Sequence, residues 1–289
     1  MNKKIAIFTD PHALYEPTLA VLNDMEAKHI KEIYCLGDTI TVGPSPKETI
    51  ELLQEYNVIL IAGNSEEYYK IGLKPYSLYF NEDKIRSYLW SISQLDRRNL
   101  QYIEDTESSI DVALGNKAIG LCHFANDIRF DFGKDRSVFE YIRKQILGMP
   151  NSYQQFLQTN SKEQLKKMRK ILKLYQCDKY LRGYSSALAK PLFAGKQIYE
   201  YDTIIQGHTH FKFYDKTPTT NIYTIRAVGM GYGQDNINKA SYIILTELSN
   251  GFNYEEILVE YDREQMIYNI LNSSIPSNKP AKIFTRTKI

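Results

Sequence analysis

An α/β domain built round a parallel sheet is the fold the sequence predicts, and three observations predict it. The first third of the chain alternates short apolar runs with helix-patterned segments. Each run stops at a loop carrying Asp-x-His, Gly-Asp or Gly-Asn. The composition, 43% hydrophobic and 24% charged, is that of an ordinary folded protein with a sizeable core. A length of 289 residues by itself fits one large domain or two small ones.

Ile5 to Phe8 is an apolar run that ends in Thr-Asp-Pro, as a buried strand entering a loop does. From about Leu14 to Lys28, Leu14, Leu19, Leu22 and Met25 recur at helical spacing. Ile33 to Leu36 is a second strand, ending at Gly37-Asp38. Ser45-Pro46 is a cap and first-turn pair that opens a helix running to about Tyr56. Val58 to Ile61 is a third strand, ending at Gly63-Asn64. A helix is expected over about 81–104, then a hairpin with Ser109–Leu114 and Lys117–His123 around Gly115-Asn116. Residues 127–201 pattern as mostly helical, with Leu165, Met168, Leu172 and Tyr175 on one face. Ile204-Ile205 is a short strand running into Gly207-His208-Thr209-His210. Further strands are expected at Phe211–Tyr214, Ile222–Ile225, Ser241–Thr246 and Tyr254–Tyr261, and a helix at Glu264–Leu271. A basic tail closes the chain. The organisation expected is one domain over 1–276, a helical insertion at 127–201 and a tail at 277–289.

A formal net charge of only +2 argues against a dedicated nucleic-acid partner, though not against a small phosphorylated substrate. The 23 tyrosines, against one tryptophan, serve equally as packing or as stacking platforms. Cys35, Cys122 and Cys177 are odd in number with no CxxC pair, so neither a disulfide framework nor a cysteine zinc site is implied. The run Ile5–Phe8 is too short for a signal peptide and no stretch reaches membrane-spanning length; a cytoplasmic location is expected.

The chemistry-bearing residues sit where strands end. Asp10-x-His12, Asp38, Asn64, His123 and His208-Thr-His210 each follow a predicted strand. Ligands of open α/β sheets bind beyond the carboxyl ends of strands, so these loops can converge. Carboxylate, amide and imidazole suit divalent ions, and a shared carboxylate can bridge two of them about 3.5–4 Å apart. Four of the five histidines lie in these motifs; His29 does not. Singly each motif is weak: Gly-Asp and Gly-Asn are common turns, and a lone histidine is commonly structural. The ordered set of Asp10, His12, Asp38, Asn64, His123, His208 and His210 is a metal-site pattern.

That order resembles the calcineurin-like metallophosphoesterase superfamily. The stretch from Gly37 to Pro46, followed by a helix and Gly63-Asn64, resembles its small bacterial phosphodiesterase branch, some members of which cleave diadenosine tetraphosphate. Ala227 to Gly233 resembles that branch's glycine loop, and Val259-Glu-Tyr-Asp262 leads into a helix in the same order. The resemblance covers residues 1–125 and 202–276. It implies a four-layer αββα sandwich of two packed mixed sheets and two metal ions; manganese, iron and zinc all tolerate these ligands. Asp10, His12, Asp38 and His210 would hold the first; Asp38, Asn64, His123 and His208 the second, with Asp38 as the bridge. It also implies a metal-bound hydroxide as nucleophile, with Asp38, Asn64 and His208 at the catalytic centre.

In one place the chain departs from the superfamily. Most members carry His after Gly-Asn, where it protonates the leaving oxygen or stabilises the transition state; here that position is Ser65. Serine is no general acid near neutral pH, which removes about 10²–10⁴-fold for a poor leaving group. Phosphodiesters and nucleoside polyphosphates are therefore the expected substrates, and a nucleotide the expected small-molecule partner. Ser65 and Tyr68 are candidate substrate contacts, the tyrosine by packing or by stacking on a base. The basic run from Lys162 to Arg182 reads either as a solvated helix face or as a cap offering cations to a polyphosphate. Two other readings remain: a non-catalytic scaffold on the same fold, as the retromer subunit that also lacks the His, and a protein phosphatase. The latter is weakened because Thr39-Ile-Thr-Val-Gly43 stands in place of that class's Arg-containing segment.

Overall fold

Ile5 and Ile7 face one side of the first strand, β1 (Lys4–Phe8), while Ala6 and Phe8 face the other, and all four are fully buried. A strand covered on both faces explains why this run reads as continuously apolar rather than alternating. The computed structural model describes residues 2–71, 82–124, 201–208, 210, 212–216, 219–229 and 238–276.

β1 sits mid-sheet. It pairs in parallel with β2 (Glu32–Cys35), which pairs in parallel with the two-residue β3 (Ile59–Leu60). A second sheet follows in the chain: β4 (Ser109–Leu114), β5 (Lys117–Cys122), β6 (Thr203–Gln206), β7 (Phe213–Lys216) and β8 (Asn221–Thr224), in the order β4-β5-β6-β8-β7. β4 and β7 are its antiparallel edges; β5, β6 and β8 run parallel. The chain then returns to the first sheet with β9 (Lys239–Leu248) and β10 (Gly251–Glu260), antiparallel, completing the order β10-β9-β1-β2-β3. Both sheets are therefore mixed, and they stack face to face.

Ile5, Ile7, Leu36, Ile243 and Leu245 of the first sheet meet Ile119, Leu121, Ile205 and Ile225 of the second in one buried layer. On the other face of the first sheet lie α1 (Tyr15–Ala27), α2 (Pro46–Glu55) and α5 (Arg97–Glu104), which bury Val21, Leu22, Met25, Ile50, Leu53 and Ile103 against Ala6, Phe8, Cys35, Tyr242 and Ile244. Each of these large apolar side chains contributes about 1.5–3 kcal/mol by leaving water. The remaining described helices are α3 (Asn64–Ile71), α4 (Glu82–Ser93) and α6 (Arg263–Asn272), the last packing Met266 and Ile270 against Leu14 and Ala227. This is the expected α/β sandwich of two packed mixed sheets.

Several boundaries differ from expectation. The single helix predicted over 81–104 is two, because Asp96 accepts from the Arg98 and Asn99 amides while Asn99 Oδ1 accepts from the Asp96 amide, a reciprocal cap that starts α5 afresh. Val58–Ile61 pairs as a strand only at Ile59 and Leu60, with Ile61 bridging Glu107 instead. The strand expected at Phe211–Tyr214 runs from Phe213 to Lys216. The helical insertion expected at 127–201 lies outside the described residues except for Tyr201, which is buried and donates to Asp111 Oδ1 at 2.6 Å. The tail 277–289, the basic run, Cys177, Thr209 and the glycine loop beyond Gly229 also lie outside them. Cys35 and Cys122 are buried, and burial pushes the Cys122 thiol up to about 12. Among the described residues no helix is long and apolar enough to cross a membrane.

Candidate metal centre

Backbone pairing carries the ligand loops to a common edge. Past β1 and β2 the chains stay bonded, Asp10 N to the Gly37 carbonyl at 3.0 Å and His12 N to the Asp38 carbonyl at 2.9 Å. Past β5 and β6, Gly207 N donates to the His123 carbonyl at 2.9 Å. Three glycines allow the closest approaches. A Cβ on Gly37 would meet the Gly63 backbone, one on Gly63 the Asp38 backbone, and one on Gly207 the Thr9 hydroxyl and Asp10 carboxylate. Asp10, His12, Asp38, His208 and His210 all adopt positive φ, between 51° and 67°. Left-handed backbone at a non-glycine residue costs about 1–3 kcal/mol, and such residues gather at functional sites.

Two clusters result. In one, Asp10 Oδ1 lies 3.2 Å from His210 Nε2 and 3.5 Å from His12 Nε2, and the two ring nitrogens are 2.9 Å apart. In the other, Asp38 Oδ2 is 3.5 Å from His123 Nε2, which is 3.1 Å from His208 Nδ1. The Asn64 amide lies against the same atoms, Nδ2 at 3.1 Å from Asp38 Oδ2 and 3.4 Å from His208 Nδ1. A half-turn of that amide about its last torsion presents Oδ1 there. Asp38 Oδ2 is also 4.0 Å from His12 Nε2, so one carboxylate faces both clusters. All seven residues predicted from sequence thus meet at one place.

The electrostatics follow from burial. Burial raises the Asp10 pKa, but the adjoining His210 and His123 rings, with His12, outweigh it and hold the carboxyl well below its usual range. For His12 burial acts downward, yet Asp10 and Asp38 prevail and raise it. For His210 burial prevails and lowers it, which favours the neutral, ligating ring. His123 donates from Nδ1 to the Leu36 carbonyl at 2.7 Å, which fixes the tautomer and leaves the Nε2 lone pair facing the cluster. Asp10 Oδ2 accepts from the Thr9 hydroxyl at 2.7 Å and the His208 amide at 2.9 Å, which aims Oδ1 at the histidines. Asp10 Oδ1 and Asn64 Oδ1 are buried with no hydrogen-bond donor. Buried oxygen and nitrogen ligand atoms converging within 4.8 Å of one another fit divalent cations.

Of the two candidate substrate contacts, Ser65 is 1% exposed and its hydroxyl donates to Glu66 Oε1 at 3.0 Å. Tyr68 lies edge-on to Tyr88, ring centroids 6.1 Å apart. The sequence reading missed Glu66, which looks like an ordinary first-turn acid. The available signal was its place three residues after Gly63, where a capping box puts Glu.

An α/β sandwich with paired carboxylate–imidazole clusters at one end of its stacked sheets is a metallohydrolase architecture. The chain belongs to the calcineurin-like phosphoesterase family, whose sequence model matches residues 3–212. It is 25% identical to an uncharacterized protein of Methanocaldococcus jannaschii over 98% of each chain. In fold it is similar to a hypothetical protein of Pyrococcus horikoshii (TM-score 0.64, 14% identity, 97% of each chain covered). It is also similar to a metallophosphoesterase of Sphaerobacter thermophilus (TM-score 0.59, 17% identity, 99% of each chain covered).

Proposed function

We propose that this chain hydrolyses phosphodiesters or nucleoside polyphosphates, diadenosine tetraphosphate among the latter, at a two-ion centre formed by Asp10, His12, Asp38, Asn64, His123, His208 and His210. The observation that carries the reading is the pair of adjoining donor clusters, with Asp38 of one lying 4.0 Å from His12 of the other. Divalent ions there, of manganese, iron or zinc, would neutralise phosphoryl oxygens and make water acidic enough to attack near neutral pH. The chain's own part is positional. His12, His210 and His123 present Nε2 and His208 presents Nδ1, while Asp38 stands between the two sets.

The substrate preference rests on Ser65. Its hydroxyl is committed to Glu66 and is no acid in this pH range, so it cannot protonate a departing alkoxide. A nucleotide phosphate or an aryl oxide departs without that proton, whereas the alkoxide of phosphoserine does not. A complete donor set is what favours catalysis over a scaffold role.

Elemental analysis of the purified chain, with assays before and after chelation, tests this. The expected result is two ions per chain and turnover of a nitrophenyl diester and a dinucleoside polyphosphate that is lost on chelation and exceeds turnover of phosphoserine. Faster phosphoserine turnover would overturn the substrate reading; no hydrolysis with any divalent ion restored would leave the scaffold reading.

A further inference from the structure

Helix α3 begins directly on a proposed ligand, Asn64, and its cap residue is Gly63, which has no side chain to satisfy the exposed amides of the first turn. Two carboxylates do so instead. Asp38, from the loop after β2, takes the Ser65 amide on Oδ1 at 2.8 Å. Glu66, three residues after Gly63, reaches back to the Gly63 amide with Oε2 at 2.7 Å. The second contact is half of a capping box.

Glu66 goes further than a capping box requires. Oε2 also accepts from the Asp38 amide at 2.8 Å. Oε1 accepts from the Thr39 amide at 2.8 Å, the Thr39 hydroxyl at 2.6 Å and the Ser65 hydroxyl at 3.0 Å. One carboxylate at 0% exposure thus gathers five donors from the two loops that carry Asp38 and Asn64. Every partner is a donor, so both oxygens must be acceptors. Hydrogen bonds to a buried carboxylate are about twice as strong as neutral ones, which makes this a stiff joint.

We propose that Glu66 is a positioning residue for the metal centre: it fixes the Asp38 loop against the Asn64 helix start, and so sets the spacing of the cluster formed by Asp38, Asn64, His123 and His208. The inference rests on the two-ion reading above. It also gives Ser65 a place as one of the five donors, its hydroxyl turned inward. The cluster of Asp10, His12 and His210 has further supports in Thr9 and the His208 amide, and its loop also bonds to the Asp38 loop through the His12 and Ala13 amides.

Glu66→Gln tests it, because the amide is isosteric but turns one acceptor into a donor facing N–H or O–H groups. The full-length chain, freed of metal, is titrated with manganese by calorimetry, and bound ions are counted after dialysis; melting of the metal-free form is followed in parallel. Positioning of a ligand typically matters about 10–100-fold in metal affinity, and that loss is expected at the site of Asp38, Asn64, His123 and His208, with a smaller loss at the other, which Asp38 also faces. Glu66→Gln binding two ions as tightly as wild type, whatever its melting temperature, overturns the inference. So does an equal loss at both sites. Should Glu66→Gln fail to fold, Thr39→Val removes a single hydroxyl donor from the same carboxylate, and it is expected to weaken one site about threefold or more; unchanged affinity there overturns the inference equally. A wild-type chain that takes up no ion is a different outcome, and it removes the two-ion reading itself.

Discussion

Gly207 shows how much one missing methyl group decides. A Cβ there would fall on the Thr9 hydroxyl and 2.7 Å from Asp10 Oδ2, the atom that the Thr9 hydroxyl and His208 amide hold in place. Gly207→Ala is expected to destabilise the fold by about 1–3 kcal/mol through overpacking and to swing Asp10 Oδ1 off the histidines. Chemical denaturation measures the first effect and manganese titration the second. A variant with normal metal affinity would show that Asp10 is not aimed through this contact. Asp38→Ala removes a carboxylate that faces both clusters, so it is expected to deplete both ions, which elemental analysis of the purified variant checks. The seven donors were legible because each follows a strand and belongs to a ligand-forming residue type. Glu66 was not, since its five partners come from two loops separated in sequence, and local pattern records only the one at Gly63.

Among elements, two acidic side chains tie the C-terminal segments to the rest of the fold, and pH should separate them by sign. Glu16 of α1 accepts from Asn269 of α6. Burial raises its pKa against its own backbone amide and the Asn269 amide, and Asp262 adds to the rise. The folded state then holds this proton more tightly than the unfolded chain does. Its stability is full below the ordinary Glu range, about 4.3, and declines as pH climbs through the raised value. Glu16→Gln should therefore melt above wild type at neutral pH and level with it below about pH 4. Glu256 of β10 is the opposite case. Burial pushes its pKa up, but Lys212 at 2.6 Å and Arg226 at 3.0 Å prevail and hold it down. That contribution is present above the unfolded pKa and is lost as pH falls through the lowered value. Glu256→Gln should melt below wild type at neutral pH and converge with it in acid. Melting curves of both variants across pH check the pair; shifts of the same sign at neutral pH would contradict it. Element order was legible because the β-α-β alternation and the hairpin around Gly115 are local signals. The break at Asp96 was not, because the residue that completes its cap is Asn99 rather than the Glu or Gln a capping box usually carries. The membership of β9 in the first sheet, and of β10 through it, is also invisible locally, since the register of β9 with β1 is set by contacts about 240 residues apart.

At the scale of the whole molecule, the centre draws on both sheets at once. Asp10 and Asp38 follow strands of the first, while His123, His208 and His210 follow strands of the second, so an ion held among them clamps the stack at one end. This end of the fold stores strain: five ligand residues in left-handed backbone and a buried Asp10 oxygen without a donor. Binding to the folded chain alone adds about 2.7 kcal/mol for each ion present at a hundredfold excess over its dissociation constant. Two ions therefore add about 5 kcal/mol, which for a chain of this size raises the melting temperature by on the order of 10 °C. Manganese, iron(II) and zinc are each expected to raise melting, and chelation to reverse it. The gain should vanish in Asp38→Ala but survive in Glu16→Gln, whose partner is Asn269 of α6 rather than a ligand. A melting temperature indifferent to all three metals at millimolar concentration would mean that the seven donors converge for some purpose other than holding cations between the sheets.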